Sequence, residues 1–286
     1  ILGMGPGSLP SDAYMIGVPT SEARDRMEQA IEPIVRLLKG EIVTEKTSWY
    51  NLQEAQIQLD PYTEQGVEIA VASQVSPTGA VAAGKHGLSM LSIGATSTGG
   101  FNALSANWKI AEDTAAEYGQ TMNRNNWRLV GPVHIAETRE QARANVRYGI
   151  EAWLRYMSTV AALPLAPPSG VDPIDYIIET GFGVIGTPDD FVAQMERLSE
   201  QSGGFGTFLN LDNHWADWAQ TKRSYELIGR FAIPKINRLN DSRHRSEEFL
   251  RDNHPKFRGE MDAAVRAKIE DRKSTRLNSS HMPVSR

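Results

Sequence analysis

Apolar and polar positions divide the chain into short alternating blocks. Ile69, Ala70, Val71 and Ala72 form a compact apolar run that breaks into Ser73, Gln74, Ser76, Pro77, Thr78 and Gly79, and residues 80–85 are then helix formers. A run of this kind, bounded by turn residues, predicts a buried strand, a polar loop and a helix. The unit recurs. Residues 88–93 are apolar and end in GATSTGG, with a helix expected over 102–118. Residues 127–136 (WRLVGPVHIA) read as a third strand. They lead into ETREQARANVRYGIEAWLRYM, where Ala142, Val146, Ile150, Trp153 and Leu154 keep helical spacing behind a Thr138 cap. Residues 203–211 (GGFGTFLNL) read as the last strand, and 220–233 as an amphipathic helix ended by Pro234. Strands and helices alternating at this spacing argue for parallel β/α units.

Other stretches break the rhythm. Ile1 and Leu2 read as the end of a strand running into the glycine loop of Gly3, Gly5 and Gly7. From Ser21, a plausible cap, a helix presents Met27, Ile31, Ile34, Val35 and Leu38 on one face and stops at Gly40; Glu28, beside that face, is expected to be exposed. Residues 41–62 alternate short β-like pieces at 42–43, 49–52 and 57–59, which suggests an inserted hairpin. Its Trp49, Tyr50 and Tyr62 fit hairpin packing better than a pocket rim. The Pro-rich residues 164–173 read as a long loop of the kind that often covers a barrel mouth. Thr187 caps a helix with Pro188 at its first position and Asp189 and Asp190 in its first turn, a structural role. Residues 1–240 are therefore expected to form one domain, and 241–286 a polar tail with a short helix over 259–271. The closing KSTRLNSSHMPVSR reads as translated sequencing-adapter sequence and is left out of the fold expectation.

Composition narrows the function classes. The chain has 286 residues, 40% of them hydrophobic, enough for one large α/β domain. Its net charge of −5 comes from scattered residues of both signs, so no nucleic-acid partner is expected. Cysteine is absent, which excludes disulfides, thiolate metal sites and a cysteine nucleophile. No apolar run approaches the roughly 20 residues that span a bilayer, and no signal sequence opens the chain, so the expectation is a cytoplasmic protein with no membrane partner.

Candidate chemistry gathers at the junction of the 69–72 run. Free N–H groups of a helix's first turn would point at the strand's carboxyl end, Ser76 and Thr78 add hydroxyl donors, and Gly79 lets a phosphate approach the backbone. An ordinary capped turn fits the same residues equally well. His134 lies within a strand and reads as a core or rim histidine rather than a catalytic one. Asp212, Asn213 and His214, with Trp215 and Asp217, fall at the carboxyl end of the last strand, the active face of a barrel. Adjacent residues at a strand end seldom converge on one ion, so no metal is expected.

Together GMGPGSLPSDAYMIG, RDRMEQAIEPIVRLLKGE, EIAVASQVSPTGAVAAGKHGLSML and HWADWAQTKRSYELIGRFAIP make the chain, to about Asn237, resemble the bacterial luciferase-like flavin monooxygenases of the limonene and alkanal monooxygenase type. The resemblance implies a (β/α)8 TIM barrel. In that frame residues 1–4 end the fourth strand, the strands at Ile69, Leu88, Leu129 and Phe208 are the fifth to eighth, and strands one to three lie outside this sequence. It implies reduced FMN supplied by a separate flavin reductase, O2 and a small organic substrate such as a terpene, aldehyde or ketone, and a homodimer when full length. FAD or a deazaflavin is the alternative cofactor, and a deazaflavin-dependent dehydrogenase or a noncatalytic flavin-binding barrel the alternative function. Carried over by position, Ser73, Ser76, Thr78 and Gly79 match the flavin phosphate loop, and Gly3, Gly5 and Gly7 the loop beside the ring. Met27 stands near a position where some branches place a cofactor-contacting Tyr. The family's catalytic histidine and its cis peptide fall in the absent amino-terminal third, so no catalytic residue is named.

Overall fold

The computed structural model describes residues 1–7, 9–64, 66–74, 76–94, 98–161 and 165–279, the side chains of 98–102 and 276–279 excepted. They fall into two compact units, Ile1–Ile236 and Asn237–Arg286. The strands are β1 (Leu2–Met4), β2 (Val43–Lys46), β3 (Asn51–Ala55), β4 (Ile69–Ser73), β5 (Ser89–Ile93), β6 (Trp127–Ile135), β7 (Val184–Gly186) and β8 (Thr207–Leu211). The helices are α1 (Pro10–Met15), α2 (Ala23–Leu38), α3 (Thr78–His86), α4 (Thr98–Glu117), α5 (Arg139–Val146), α6 (Ile150–Thr159), α7 (Pro173–Glu179), α8 (Pro188–Ser202), α9 (Trp218–Leu227), α10 (Ile233–Ile236) and α11 (Asp241–Ser279).

Strands β1, β4, β5, β6 and β8 are successive neighbours, and every pairing among them is parallel. Parallel neighbours need crossover connections, and helices supply them: α3 between β4 and β5, α4 between β5 and β6. This is the α/β class that the alternating blocks predict. Short β7 pairs with the carboxyl half of β6, Val133 opposite Val184 through Ile135 opposite Gly186. On one face of the sheet Val71, Met90 and Leu129 meet Ala80, Ala83, Trp108 and Ala111 in a single apolar cluster. Small residues set the spacing of that layer. A Cβ on Gly84 would lie 2.4 Å from the Ala111 carbonyl oxygen, so α3 and α4 pack backbone to backbone. At the amino ends of the strands Arg128 holds Glu68 through two hydrogen bonds of 2.6 and 3.0 Å, and the Ser89 hydroxyl donates to the same carboxylate at 2.6 Å. Burial opposes ionisation of Glu68, but the Arg128 and Ser89 bonds hold its carboxyl below the usual range.

Several local expectations need correction. Helix α2 begins at Ala23, not at a Ser21 cap, and the Glu22 carboxylate takes hydrogen bonds from Arg26 one turn on, at 2.8 and 3.2 Å. Glu28 is exposed, as expected. The hairpin contains only β2 and β3, antiparallel, and residues 57–59 form no strand. Trp49 and Tyr50 stack edge to face at 4.8 Å and both reach Gln29 of α2, while Tyr62 is fully exposed. The single helix expected over 137–157 breaks between Val146 and Ile150. There the Gly149 N–H donates to the Trp215 carbonyl at 3.0 Å, and a Cβ on Gly149 would lie 2.1 Å from the His214 carbonyl oxygen. The loop after β8 thus occupies the place where a continuous helix would run.

Pro234 does not end the last helix of this unit. A π turn over Ile228–Ala232 lets the Ile233 N–H reach Ile228 O, and Pro234, lacking a donor, continues into the first turn of α10. Helix α7 and strand β7 were not expected from the pattern; Asp172 caps α7 by accepting the Ile174 N–H at 2.8 Å, with Pro173 at its first position. In the second unit α11 is one helix from Asp241 to Ser279, passing through Pro255 and Gly259, far longer than 259–271. Ala95, Thr96 and Ser97 of the GATSTGG cluster, Pro164 of the Pro-rich loop and the last seven residues lie outside the described residues.

Candidate functional site

A cavity of about 510 Å³ opens at the carboxyl ends of β1, β4 and β5. That size suits a bound cofactor, and ligands of α/β folds commonly bind at this end of the strands. Gly5, Pro6, Gly7 and Leu9 reach it from the loop after β1, Ala72, Gln74, Ser76, Thr78 and Gly79 from β4 and its junction with α3, and Arg24 and Met27 from α2. Ile93 and Ala161 add apolar surface.

One corner is built for an anion. The first i to i−4 bond of α3 joins the Val81 N–H to Pro77 O at 2.9 Å, so the N–H groups of Gly79 and Ala80 precede it without such a partner, while the Thr78 N–H donates to Ser76 Oγ at 3.4 Å. The Ser76 and Thr78 hydroxyls lie 3.0 Å apart at the same helix end. Arg24, exposed at its rim, lines the same cavity and has no ion-pair partner among the described residues. Backbone N–H groups, hydroxyls and a guanidinium are the donor set that recognises phosphate.

Five of the seven sequence-selected residues, Gly5, Gly7, Ser76, Thr78 and Gly79, meet on this cavity; Gly3 and Ser73 do not line it. Gly3 pairs with Ala70 inside the sheet. Ser73 is buried, with its Oγ unbonded, on the same strand face as Val71. Gly7 takes φ +79°, a backbone state that favours glycine, and a Cβ on Gly5 would press on Ala72 Cβ at 3.3 Å. Packing alone already requires Gly79. A Cβ there would lie 2.2 Å from the Ala72 carbonyl oxygen and 3.0 Å from Ser73 Cα, so the missing side chain lets α3 start against the strand backbone. Sequence reasoning overlooked Arg24, although it stands three residues before Met27 and so shares the recognised apolar face of α2, where a cation is out of place.

The other candidates cluster around the end of β6. His134 is buried, and its Nε2 lies 3.2 Å from Asn145 Nδ2. Burial drives its pKa down to about 4 against the opposing charge of Asp217. The ring is therefore a neutral acceptor near pH 7. The hollow beside it, lined by Asp212, Asn213, Trp215 and Tyr225 among others, has room for about 10 Å³. His214 adopts φ +53°, and its backbone crosses the α5–α6 break instead of joining a ligand cluster. No group of three or more His, Cys, Asp or Glu residues among the described ones could hold a metal. Thr187 caps α8 as expected, and Asp190 returns the bond to complete a capping box. Arg139 grips Asp190 at 2.6 and 3.0 Å and, with the Thr187 bonds, outweighs burial to lower its pKa to about 2.

The model of the luciferase-like monooxygenase family matches residues 1–205. The chain belongs to that family. It is 46% identical to limonene 1,2-monooxygenase of Rhodococcus erythropolis over 237 residues, which are 83% of this chain and 61% of the relative. The chain thus spans about three fifths of that relative's length. Among solved structures, a monooxygenase of Streptomyces bottropensis superposes with a TM-score of 0.68 at 18% identity, covering 82% of this chain and 68% of the other, a likeness of fold. The oxygenating constituent of 3,6-diketocamphane monooxygenase of Pseudomonas putida, solved with FMN, superposes with a TM-score of 0.58 at 25% identity, covering 82% and 71%. The family's luciferase-like barrel accounts for the parallel row of strands with helices between them. No helix among the described residues is long and apolar enough to cross a membrane.

Proposed function

We propose that the cavity at the ends of β1, β4 and β5 binds FMN, and that the full-length protein is a flavin-dependent monooxygenase acting on a small apolar organic substrate. The observation that carries this reading is that one cavity is lined both by Arg24, Ser76, Thr78 and the start of α3 and by Leu9, Met27, Ile93 and Ala161. The polar lining residues fit a phosphate monoester and the apolar ones a planar ring. Gly5 and Gly7 carry no side chains, so the loop backbone at those two positions can lie close to the ring. The similarity to limonene and diketocamphane monooxygenases supports the reaction class.

Reduced flavin, when bound, supplies the electrons that activate O2. The residues of this chain bind and orient it. Arg24 and the two hydroxyls hold the phosphate, the α3 N–H groups complete its coordination, and the apolar lining keeps water from the ring. We further propose that a separate flavin reductase delivers the reduced cofactor, and that the full-length protein works in the cytoplasm as a homodimer. Flavin titration by fluorescence quenching tests the binding site, and a chimera carrying the remainder of the limonene relative tests turnover. Oxygen-dependent product formation from a terpene, aldehyde or ketone panel supports the reading. Anaerobic turnover with a deazaflavin, or flavin binding with no turnover under any reductant, replaces it with a dehydrogenase or a flavin-binding protein.

A further inference from the structure

We propose that Asn107 of α4 is a positioning residue for the phosphate corner, acting through the carbonyl of Gln74. The inference rests on the reading of that corner as a phosphate site. Asn107 is buried, and its Nδ2 donates to Gln74 O at 2.7 Å across 33 residues of chain. Gln74 is the first residue after β4, so this bond fixes the chain where it leaves the strand for Ser76 and Thr78.

The anchor is rigid for a reason visible in the packing. Asn107 precedes Ala111 by one helical turn and so shares its face, and Ala111 is the residue whose carbonyl abuts Gly84 of α3. Helix α4 therefore grips the far part of α3 through the Gly84 contact and the loop before α3 through Asn107. Held at both places, the first turn of α3 cannot tilt away from the cavity. A phosphate then meets its donors already aligned, and binding loses little to ordering them.

The test replaces Asn107 by leucine, close in volume, uncharged and unable to donate. Dissociation constants for FMN and for riboflavin, which lacks the phosphate, are compared in the parent chain and in Asn107→Leu. FMN affinity should fall about tenfold with riboflavin affinity unchanged. Equal losses for both flavins, or no loss for either, would overturn the assignment. Hydrogen exchange in the flavin-free chain gives a second measurement. The Val81 amide should exchange faster in Asn107→Leu while Ala111 and Ala115 in α4 keep their protection. Unchanged exchange at Val81, or acceleration throughout α4, refutes the positioning role whether or not flavin binds. Failure of the parent chain to bind either flavin would instead remove the FMN reading and leave the Gln74 anchor to the exchange data.

Discussion

Protonating His134 should be one of the costlier events the fold meets on acidification. Its imidazole is 3% exposed and faces the amide nitrogen of Asn145, a donor. A second ring proton would turn that contact donor to donor at a buried position. The pKa falls from an ordinary 6.5 to about 4 in the folded chain, chiefly through burial, with Asp217 partly opposing. A folded-state pKa below the unfolded value means that the unfolded chain takes up the proton first. The stability contributed by neutral His134 is thus complete above pH 6.5 and drains away as pH falls towards about 4. At about 1.4 kcal/mol per pH unit this amounts to roughly 3 kcal/mol. Urea unfolding of the parent and of His134→Gln across that window measures it, and the difference between the two curves isolates this ring from His86, which burial also shifts downward. The parent should lose about 3 kcal/mol more than the variant between the two ends of the window. Parallel curves would show that His134 is solvated or already charged, and the argument from burial would fail.

Gly79→Ala should destabilise the fold by about 2–4 kcal/mol in thermal unfolding, because its Cβ would overlap the Ala72 carbonyl oxygen, whether or not flavin is present. Arg24→Ala should weaken FMN binding by about 1.5–3 kcal/mol while leaving riboflavin binding within about threefold of the parent, as read by fluorescence titration. Thr187→Ala should cost about 1 kcal/mol of stability through loss of the capping box, measured by denaturant midpoint. Asp190→Asn should flatten the acid limb of the stability curve. The depressed carboxyl contributes stability above pH 3.8 that is lost as pH falls through about 2, and at most about 1–2 kcal/mol after allowance for the exposed Arg139 partner.

Strands β4, β5 and β6 were legible because most of their residues are buried, and runs such as 69–72 and 127–136 announce that burial directly, whereas the three-residue β7 is too short to give such a run. The Thr138 and Thr187 caps were legible because their chemistry is local. The break at Gly149 was not, because its cause is the backbone of His214 and Trp215, 65 residues away in sequence and invisible to helical periodicity. Gly79 shows a subtler limit. The glycine was singled out for phosphate approach, and only the position of the Ala72 carbonyl reveals that the strand backbone demands it as well. Arg24 escaped because attention to the apolar face of α2 discounted a charge lying on it. Asn107 had no signature at all, since a buried amide in the middle of a helix acquires meaning only from the carbonyl it meets.

The carboxylate of Glu68 bears on how the chain avoids misassembly. Its two bonds to Arg128 pass across β5, and the Ser89 hydroxyl joins from that middle strand, so three successive strands are tied at one level. Side chains alternate faces along a strand, so sliding β6 by a single residue would carry Arg128 to the opposite side of the sheet. Glu68 would then be left partly buried without its counter-charge, and a guanidinium would enter the apolar cluster around Val71 and Met90. Small aliphatic strands such as IAVAS discriminate weakly between neighbouring alignments, because alanine and valine tolerate either face. In the correct alignment the pair adds little to net stability, but in every shifted one it exacts a penalty. Its main effect is to make wrong alignments of the sheet unfavourable, an effect that a mutant's folding yield would report more clearly than its melting temperature.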